Sequence, residues 1–336
     1  MKILICGGFS QDAQVLVKLL VSENIQADLI VRRSSADIPK SFKKLVSQKK
    51  IRIIYMDLTN TFELNKKLKE ELYTHVFNFA SNSFVQSSNL DIFNCINENF
   101  SITYSVLDAI KNANRDIWFM QPLSSEVFGS PDIFPQNEIT KINPINAYGI
   151  SKVTDLFLCD LYEKNFGLKI FRPILYNHES IYRGRQFFSK KIFNFANKIL
   201  NNINEEADIL EFYNAKSTRD WGYAKDFCSI FLDAAKKNIF GKFVLGTGNV
   251  MSVEQFIENV FTVYSIEFKK VSNGEGLIEF YNNKDKLIAK EISRDLVDEK
   301  RNLIADNSAL KTKLNFNELI SGKELIQNLH NDYQSE

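Results

Sequence analysis

Four residues between positions 124 and 152 have the types and spacing needed for proton transfer. Tyr148 and Lys152 lie four residues apart, so a helix would place the lysine ammonium beside the phenol. Moving the pKa of a phenol from about 10 to near 7 takes about 4 kcal/mol of differential stabilisation, which a close, partly buried cation can supply. Ser124 and Glu126 add a hydroxyl and a carboxylate upstream. This set predicts a site in which a tyrosine acts as a base.

The Tyr148 and Lys152 spacing is also that of an ordinary amphipathic helix, so the pair alone does not separate catalysis from packing. The choice depends on whether the rest of the chain can bring a cofactor and a substrate to these side chains.

Short apolar runs alternate with helical patterns through the first half of the chain. The helix that carries Tyr148 is predicted to run to about Phe166 and to stop at Gly167, and Ser252 is predicted to cap a helix over 253–264. This alternation predicts an α/β fold, a Rossmann-type doubly wound parallel sheet with a smaller C-terminal α/β substrate lobe. The predicted strands are 2–6, 27–31, 51–55, 75–79, 116–120 and 168–171, with helices near 62–72 and 102–110.

A glycine turn follows the first predicted strand and leads into a helix, which is the order that places a pyrophosphate at a helix N-terminus. Gly7 is the only glycine kept from a Gly-x-x-Gly-x-x-Gly fingerprint, because Ser10 and Ala13 occupy the other two positions. Ser10 places a Cβ where backbone should approach phosphate, although its hydroxyl could donate to that phosphate. A simple tight turn is the alternative interpretation.

The second predicted strand ends in Arg32 and Arg33, followed by two serines. An NAD-binding protein carries an acid at this distance from the glycine turn, where it binds the ribose 2′-hydroxyl. Arginines suit a 2′-phosphate instead, so NADP is favoured over NAD, with a solvated arginine pair as the alternative. Asp57 and Leu58, after the third strand, could contact the adenine edge.

Composition excludes several classes of function. With 42 Lys and Arg against 41 Asp and Glu, the net charge is +1, so no global field attracts nucleic acid or a membrane surface. We find no signal peptide and no apolar run near 20 residues, and we therefore expect a cytoplasmic protein. The four cysteines and three histidines are scattered, which predicts reduced structural thiols and no metal site.

A polar and cationic cluster follows the last predicted strand. It contains Asn177, Arg183, Lys191 and Arg219, the last beside Trp221. Cations and an aromatic ring are what a diphosphate and a stacked base require. Each of these residues could separately be surface charge, but together they favour a ligand site.

Several segments together resemble the extended short-chain dehydrogenase/reductase family, most closely its GDP-mannose 4,6-dehydratase branch. Tyr-x-x-x-Lys is shared by the whole superfamily, whereas Asn-His-Glu-Ser and Arg-Asp-Trp-Gly-x-Ala-Lys-Asp are specific to the branch. The resemblance covers residues 1 to about 260 and fades over 271–301. The matching segments are Gly7-x-x-x-Gln11-Asp12, Val31 to Ser35, Ser125-Glu126-x-Phe128-Gly129, Pro135-Gln136-x-Glu138, Tyr148 to Lys152, Asn177 to Ser180, Arg183-Gly184 and Arg219 to Asp226.

The resemblance implies a role for each catalytic candidate. Ser124 would orient the sugar O4, Tyr148 would be the base at O4, and Lys152 would tune Tyr148 and hold the nicotinamide ribose. Glu126 would be the acid and base at C5 and O6. The implied cofactor contacts are Gly7, Ser10, Gln11, Asp12, Arg32, Arg33, Asp57, Leu58, Tyr148 and Lys152. The implied substrate contacts are Ser83, Asn177, Arg183, Lys191 and Arg219.

The resemblance also predicts the organisation of the chain. Residues 1–172, with about 219–245, would form the NADP-binding domain, and 173–218 with 246–336 the nucleotide-sugar lobe. A homodimer or homotetramer is implied, with the region of Arg32 and Arg33 near an interface.

The leading hypothesis is a GDP-sugar 4,6-dehydratase that acts on GDP-mannose or a related GDP-hexose or heptose. Pro122 and Leu123 replace small residues before Ser124, which keeps open a C4 dehydrogenase, reductase or epimerase without water elimination. A non-catalytic dinucleotide-binding regulator is the third hypothesis. The four intact catalytic candidates argue against it, while Glu126 is the residue that separates the first two.

Overall fold

The computed structural model describes residues 1–32, 34, 37–83, 89–201, 209–293 and 302–335. The strands are β1 (Ile3–Cys6), β2 (Ala27–Val31), β3 (Ile51–Tyr55), β4 (His75–Asn78), β5 (Trp118–Met120), β6 (Leu123–Ser124), β7 (Lys169–Leu175), β8 (Asn177–Glu179), β9 (Leu210–Phe212), β10 (Thr218–Tyr223), β11 (Gly241–Leu245), β12 (Val250–Ser252), β13 (Lys269–Ser272), β14 (Ile278–Tyr281) and β15 (Leu287–Glu291).

The helices are α1 (Gln11–Ser22), α2 (Lys40–Ser47), α3 (Thr61–Glu70), α4 (Ile92–Asn112), α5 (Ala147–Phe166), α6 (Phe188–Leu200), α7 (Ala224–Lys236), α8 (Val253–Val263), α9 (Ser308–Leu314) and α10 (Gly322–Ser335), with a 3₁₀ helix at Ser125–Phe128.

Eight strands form one sheet with β1 near its centre. The order is β11-β7-β5-β4-β1-β2-β3, and β6 pairs with β7 beyond the end of β5. Every pairing in this sheet is parallel. The carboxyl ends of the strands therefore meet at one edge, where α/β folds bind their ligands. The predicted Rossmann-type parallel sheet is confirmed.

The two faces of β1 show why this short apolar run lies in the middle of the molecule. Ile3 and Ile5 pack in one hydrophobic core with residues of α1 and α7, while Leu4 and Cys6 pack in a second core with residues of α3 and α4. All four side chains are buried. Successive strand residues point to opposite faces, so a continuous apolar run is what a strand covered by helices on both sides needs.

Strand β7, predicted at 168–171, is longer than predicted and continues through Pro173 to Leu175. Proline lacks the amide hydrogen that a central strand normally donates. The backbone of Phe171 faces β5, since the Gln121 amide donates to its carbonyl oxygen, and Pro173 therefore faces the same side. At that point β5 has ended and β6 begins at Leu123. The missing amide hydrogen thus lies beside an interruption in the neighbouring strand.

The carboxyl edge of the large sheet is extended by two smaller sheets. Strands β12, β10 and β8 form one of them, and β13, β14, β15 and β9 form the other. Their shared core is rich in aromatic rings, including Phe193, Trp221, Phe256 and Phe280, and receives residues of α6, α8 and α10. Helix α7 follows β10 directly but packs on α1 in the core of the large sheet. The predicted division of the chain into two lobes remains a proposal.

Helix boundaries follow local capping chemistry. Ser252 makes a capping box with Gln255 at the start of α8, and Gly167 ends α5 in the left-handed conformation, both as predicted. Helix α4 begins ten residues before the predicted 102–110 pattern. Its first turns expose apolar side chains such as Phe93, so they lack the amphipathic contrast from which a helix is predicted. None of the described helices combines the length and apolarity needed to cross a bilayer.

Candidate active site

The catalytic candidates are carried by three consecutive elements at the carboxyl edge of the large sheet. Ser124 ends β6, Glu126 lies in the 3₁₀ helix, and Tyr148 and Lys152 occupy the first two turns of α5. The Ser124 Oγ accepts a hydrogen bond from the Glu126 amide at 3.3 Å and also contacts the Tyr148 hydroxyl. The structure therefore brings together all four residues predicted from their types and spacing.

Gly149 allows α5 to approach the 3₁₀ helix closely. A Cβ at this position would lie 2.6 Å from the carbonyl oxygen of Glu126 and 3.1 Å from the side chain of Pro144. Any side chain here would push Tyr148 away from Ser124. The glycine of Tyr-Gly-x-x-Lys is thus a packing requirement of the site.

Asn146 joins the start of α5 to the candidate acid. Its Oδ1 accepts a hydrogen bond from the Gly149 amide at 2.7 Å, which caps the helix, while its Nδ2 donates to Glu126 Oε2 at 2.5 Å. One side chain therefore fixes both the helix that carries Tyr148 and the carboxylate beside it.

Tyr148 lies in an environment that opposes its ionisation. Burial raises the pKa of the phenol, and the charges of Asp155 and Glu126 add to this effect. Lys152 and the hydrogen bond from Ser124 lower the pKa, but by less than burial raises it. The predicted effect of Lys152 on the pKa of Tyr148 therefore has the expected direction, while burial, which spacing does not show, outweighs it.

Lys152 is paired with a carboxylate that the sequence analysis missed. Its Nζ lies 3.0 Å from Oδ2 of Asp155 and 5.8 Å from the centroid of the Tyr148 ring. Burial by itself lowers the pKa of the ammonium, but the attraction of Asp155 and Tyr148 more than compensates, so the pKa of Lys152 is raised. The lysine therefore stays charged despite being only 3% exposed.

The turn between β1 and α1 has the geometry of a dinucleotide-binding turn. Gly7 has φ +75°, and a Cβ there would lie 2.5 Å from the backbone nitrogen of Ala80. Only glycine fits, so a bare backbone faces the N-terminus of α1. The Ser10 Oγ accepts from the Ala13 amide at 3.2 Å and caps the helix, which leaves its hydrogen available to an acceptor outside the helix.

Gln11 and Asp12 connect this turn to β8. The Gln11 Nε2 donates to the His178 carbonyl oxygen at 3.0 Å, and its Oε1 accepts from the Ser180 amide at 3.2 Å. Asp12 forms an ion pair with His178 at 3.0 Å. Burial would raise the pKa of Asp12 and lower that of His178. Their mutual attraction dominates, so the pKa of Asp12 is lowered and that of His178 is raised.

The remaining cofactor candidates lie at the ends of β2 and β3. Arg32 is exposed and forms an ion pair with Glu98 of α4, while Arg33 lies outside the described residues. The Asp57 Oδ1 accepts from the amide and the hydroxyl of Thr59 at 2.9 and 2.8 Å. The Leu58 side chain is buried in the hydrophobic core, so this residue can contact a ligand only through its backbone.

The substrate candidates are spread over the smaller sheets, α6, the turn between β8 and α6, and the segment after β4. Asn177 lies on β8 beside β10, where the Arg219 guanidinium donates to the Thr218 carbonyl oxygen at 2.8 Å. Arg183 lies 3.8 Å above the Phe187 ring and 3.4 Å from the carboxylate of Glu179. These contacts hold the Arg183 and Arg219 side chains in place.

Lys191 lines a cavity of about 570 Å³ between α6 and β9, with Asn194, Phe195, Lys198 and Leu210. Ser83 is exposed and ends the described segment 37–83, so its surroundings are only partly described.

Two positions that hold the site were missed at the sequence level, and both have local signals. Asn146 directly precedes a helical pattern, which is the usual place for an N-cap, and Asp155 lies three residues after Lys152, which is the spacing of a helical ion pair. The described residues contain no group of three or more His, Cys, Asp and Glu side chains able to hold a metal ion. The four cysteines are buried free thiols, as predicted.

The parallel sheet, the glycine turn after β1 and the Tyr148 and Lys152 pair define an extended short-chain dehydrogenase/reductase. The fold is shared with UDP-glucose 4-epimerase of Thermotoga maritima, with TM-score 0.81 and 16% identity over 100% of this chain and 99% of that one. It is shared equally with dTDP-glucose 4,6-dehydratase of Bacillus anthracis in complex with NAD, with TM-score 0.81 and 17% identity over 100% of this chain and 97% of that one.

The sequence comparison is more specific. The chain belongs to the GDP-mannose 4,6 dehydratase family, whose model matches residues 4–329. GDP-mannose 4,6 dehydratase of Drosophila melanogaster is 26% identical over 97% of this chain and 84% of its own. The human GDP-mannose 4,6 dehydratase is 29% identical over 77% and 71%. The predicted family is confirmed, and the match includes the 271–301 region where the resemblance had faded.

Proposed function

We propose that the protein is a GDP-sugar 4,6-dehydratase that converts GDP-mannose, or a related GDP-hexose or heptose, to its 4-keto-6-deoxy form. The observation that supports this best is the position of Glu126. Its carboxylate is held by Asn146 at the N-terminus of the helix that carries Tyr148 and Lys152. A tyrosine and lysine pair alone is sufficient for redox chemistry at C4, whereas water elimination also needs an acid near C5.

A nicotinamide dinucleotide fits the turn between β1 and α1. Gly7 permits the tight turn that leads into the capped N-terminus of α1, where the helix dipole and free backbone amides stabilise a pyrophosphate. Gly7, Ser10, Gln11 and Asp12 would surround the pyrophosphate. Asp57 and the Leu58 backbone would contact the adenosine, and Lys152 would hold the nicotinamide ribose.

We also propose that the cofactor is NADP rather than NAD, because Arg32 and Arg33 lie where an NAD-binding protein carries an acid. Thermal unfolding in the presence of each dinucleotide tests this, since a ligand that binds the native state raises the melting temperature. A larger rise with NAD than with NADP would reverse the assignment.

The residues of the chain would act in a fixed order. Tyr148 removes the proton from O4 of the sugar while Ser124 orients that oxygen, and a 4-ketone forms. The ketone makes the C5 hydrogen acidic, so Glu126 can remove it and can then protonate the departing 6-hydroxyl. When bound, the nicotinamide supplies the hydride acceptor at C4 and returns the hydride to C6. Hydride addition at C6 leaves an enolate whose C5 takes up one proton, which balances the proton that Tyr148 removed from O4. The sugar has then lost one water, and the cofactor and the enzyme are unchanged.

The remaining polar candidates would bind the GDP moiety. Asn177 lies on β8, Arg219 on β10 and Lys191 on α6, while Arg183 lies in the turn between β8 and α6. Lys191 lines the cavity between α6 and β9. Ser83, at the carboxyl edge of β4, would contact the sugar. Guanidinium groups suit a diphosphate because they donate two parallel hydrogen bonds.

A second copy of the chain would cover the exposed apolar faces of α4 and α5. Phe93, Phe157 and Leu161 are 74%, 60% and 50% exposed, and Phe100 and Tyr104 continue the same face of α4. If a two-fold axis related two copies beside α4 and α5, the apolar face of each copy would be buried against that of the other. We place the protein in the cytoplasm, since its four cysteines are unpaired thiols.

The test is incubation with GDP-mannose and NADP, followed by detection of a product lighter by one water. We expect Glu126→Gln to keep GDP-mannose binding and to lower dehydration roughly 100-fold or more, since general acid and base groups supply 10² to 10⁴ in rate. Glu70→Gln, which changes an exposed carboxylate on α3, is the matched control.

Dehydration by Glu126→Gln at the parental rate would show that the role of this residue is wrong. A parent that oxidises or epimerises C4 without loss of water would favour the dehydrogenase or epimerase hypothesis. A Tyr148→Phe variant with unchanged function would favour the non-catalytic regulator.

A further inference from the structure

The strongest feature that the proposed mechanism does not use is a chain of buried polar side chains behind Lys152. Asp155 is 0% exposed, and its Oδ2 accepts from Lys152 Nζ at 3.0 Å and from Gln121 Nε2 at 3.3 Å. Gln121 Oε1 in turn accepts from Asn78 Nδ2 at 2.8 Å. The ends of β4 and β5 are thereby connected to α5 through side chains that are all buried.

Asp155 competes with Tyr148 for the charge of the catalytic lysine. The lysine Nζ is 3.0 Å from the carboxylate and 5.8 Å from the centroid of the phenol ring. Asp155 is in direct hydrogen-bond contact with the ammonium, and electrostatic attraction is strong where water is excluded, so this contact holds the ammonium in position. A buried lysine also needs a partner, because an unpaired buried charge is strongly unfavourable.

We propose that Asp155 is a positioning residue of this active site, a buried counter-ion that fixes the Lys152 ammonium and offsets part of its charge beside Tyr148. This inference rests on the proposed function. The amide of Gln121 orients the carboxylate, and Asn78 orients the amide, so the strand ends determine where the ammonium lies.

The charged and titratable groups that can influence the titration of Tyr148 come from two elements, and the neutral Ser124 hydroxyl at the end of β6 adds a hydrogen bond. Lys152 and Asp155 lie on α5, as does the Cys159 thiol that faces this pair, and Glu126 comes from the 3₁₀ helix. The side chains that reach Asp155 from the strand ends are neutral amides. Removing the charge of Asp155 therefore leaves Lys152 as the one cation among these groups, with Glu126 unchanged.

The experiment is the pH dependence of kcat for GDP-mannose dehydration by the parent, Asp155→Asn and Asp155→Glu. In Asp155→Asn the lysine acts on Tyr148 without its counter-ion, and we expect the acid limb of the profile to move about one unit toward lower pH, since one nearby charge shifts a pKa by one to three units. Asp155→Glu keeps the charge but moves it, so its acid limb should shift less than that of Asp155→Asn. Asp116→Asn, at an exposed carboxylate paired with Lys169, is the matched control.

A purely structural role predicts a lower melting temperature and a smaller active fraction with the acid limb unmoved, and that result in a folded Asp155→Asn would overturn the proposal. Should Asp155→Asn fail to fold, Asp155→Glu decides the question. A carboxylate moved by one methylene should displace the ammonium and raise the Kd for NADPH, and an unchanged Kd would count against the proposal.

The NADPH measurement needs no turnover. Absence of dehydration by the parent would therefore overturn the proposed function, while the effect of Asp155→Glu on NADPH binding would still support or overturn the role of Asp155.

Discussion

The reactivity of Tyr148 depends on its catalytic neighbours and also on residues outside the catalytic motif that hold those neighbours in place. Burial raises the pKa of the phenol, and the groups that oppose this are the Ser124 hydroxyl and the Lys152 ammonium. Each of these is held by a further residue, Ser124 through the 3₁₀ helix and Lys152 through Asp155. Catalysis at this site is consequently sensitive to neutral or buried positions as well as to the four candidates themselves.

Asn146 offers the clearest test at the residue scale. An aspartate in its place would cap α5 as well as asparagine does, but it would replace the donor to Glu126 with a second negative charge. We expect Asn146→Asp to unfold near the parental temperature and to dehydrate GDP-mannose more than tenfold more slowly, which is a loss of about 1.4 kcal/mol of transition-state stabilisation. Turnover and thermal unfolding are the two measurements.

The control for this prediction is Asn146→Ala, which loses the cap and the donor but adds no charge. It should lower stability by about 1 kcal/mol and reduce turnover less than Asn146→Asp does. Parental turnover in a folded Asn146→Asp would show that the hydrogen bond to Glu126 is not needed.

The sequence patterns predicted which residues come together at the site, but they did not predict how buried those residues are or which charges surround them. Tyr148, Lys152, Ser124 and Glu126 were found from spacing because helices and strand ends impose it. The lowering effect of Lys152 on the pKa of Tyr148 was predicted, whereas the larger opposing effect of burial was not, because desolvation depends on the packing of the whole edge of the sheet. Asp155 was missed because a lysine and an aspartate three residues apart are common on exposed helix faces as well.

At the scale of elements, α1 is connected to β8 by the ion pair of Asp12 and His178, whose ring stacks on Phe227 at 4.6 Å. The pKa of His178 is raised in the folded protein, so its contribution to stability is complete below the unfolded value of about 6.5 and is lost as pH rises through the folded value. The pKa of Asp12 is lowered, so its contribution is complete above about 3.9 and is lost as pH falls through the folded value.

The pair should therefore stabilise the fold most between about pH 4 and 6.5. We expect His178→Asn to lower the free energy of unfolding more at pH 5.5 than at pH 8.5, because the parent has already lost part of the ionic contribution at the higher pH. Denaturant unfolding at both pH values measures this difference. An equal loss at the two pH values would show that His178 contributes through packing on Phe227 alone.

The elements themselves were predicted with uneven success. Strands β2 and β3 have the predicted bounds, and α5 ends where Gly167 predicts. The continuation of β7 through Pro173 was missed, because proline normally ends a strand and only the gap between β5 and β6 makes it acceptable. That gap is a property of a neighbouring strand, which a local pattern cannot show.

For the molecule as a whole, the apolar faces of α4 and α5 lead to a prediction about assembly. Phe157 is 60% exposed on α5, and we expect Phe157→Glu to convert a dimer into a monomer, because a charge in the centre of an apolar two-fold interface is repeated on both subunits. Sedimentation or light scattering measures the mass in solution.

Phe62→Glu is the matched control, since Phe62 is 79% exposed on α3 and lies outside the α4 and α5 face. It should leave the mass unchanged. A monomeric parent, or a Phe157→Glu variant with the parental mass, would contradict the proposed assembly.

The hydrogen bonds of Gln11 have a consequence for how ligands influence one another. This single side chain holds the carbonyl oxygen of His178 and the amide of Ser180, so the glycine turn and the strand that carries Asn177 shift together. Two ligands bound on either side of such a connection share a coupling free energy, and each must change the affinity of the other by the same factor. Dinucleotide and nucleotide sugar would then bind cooperatively, and Gln11 would be the residue that transmits the effect.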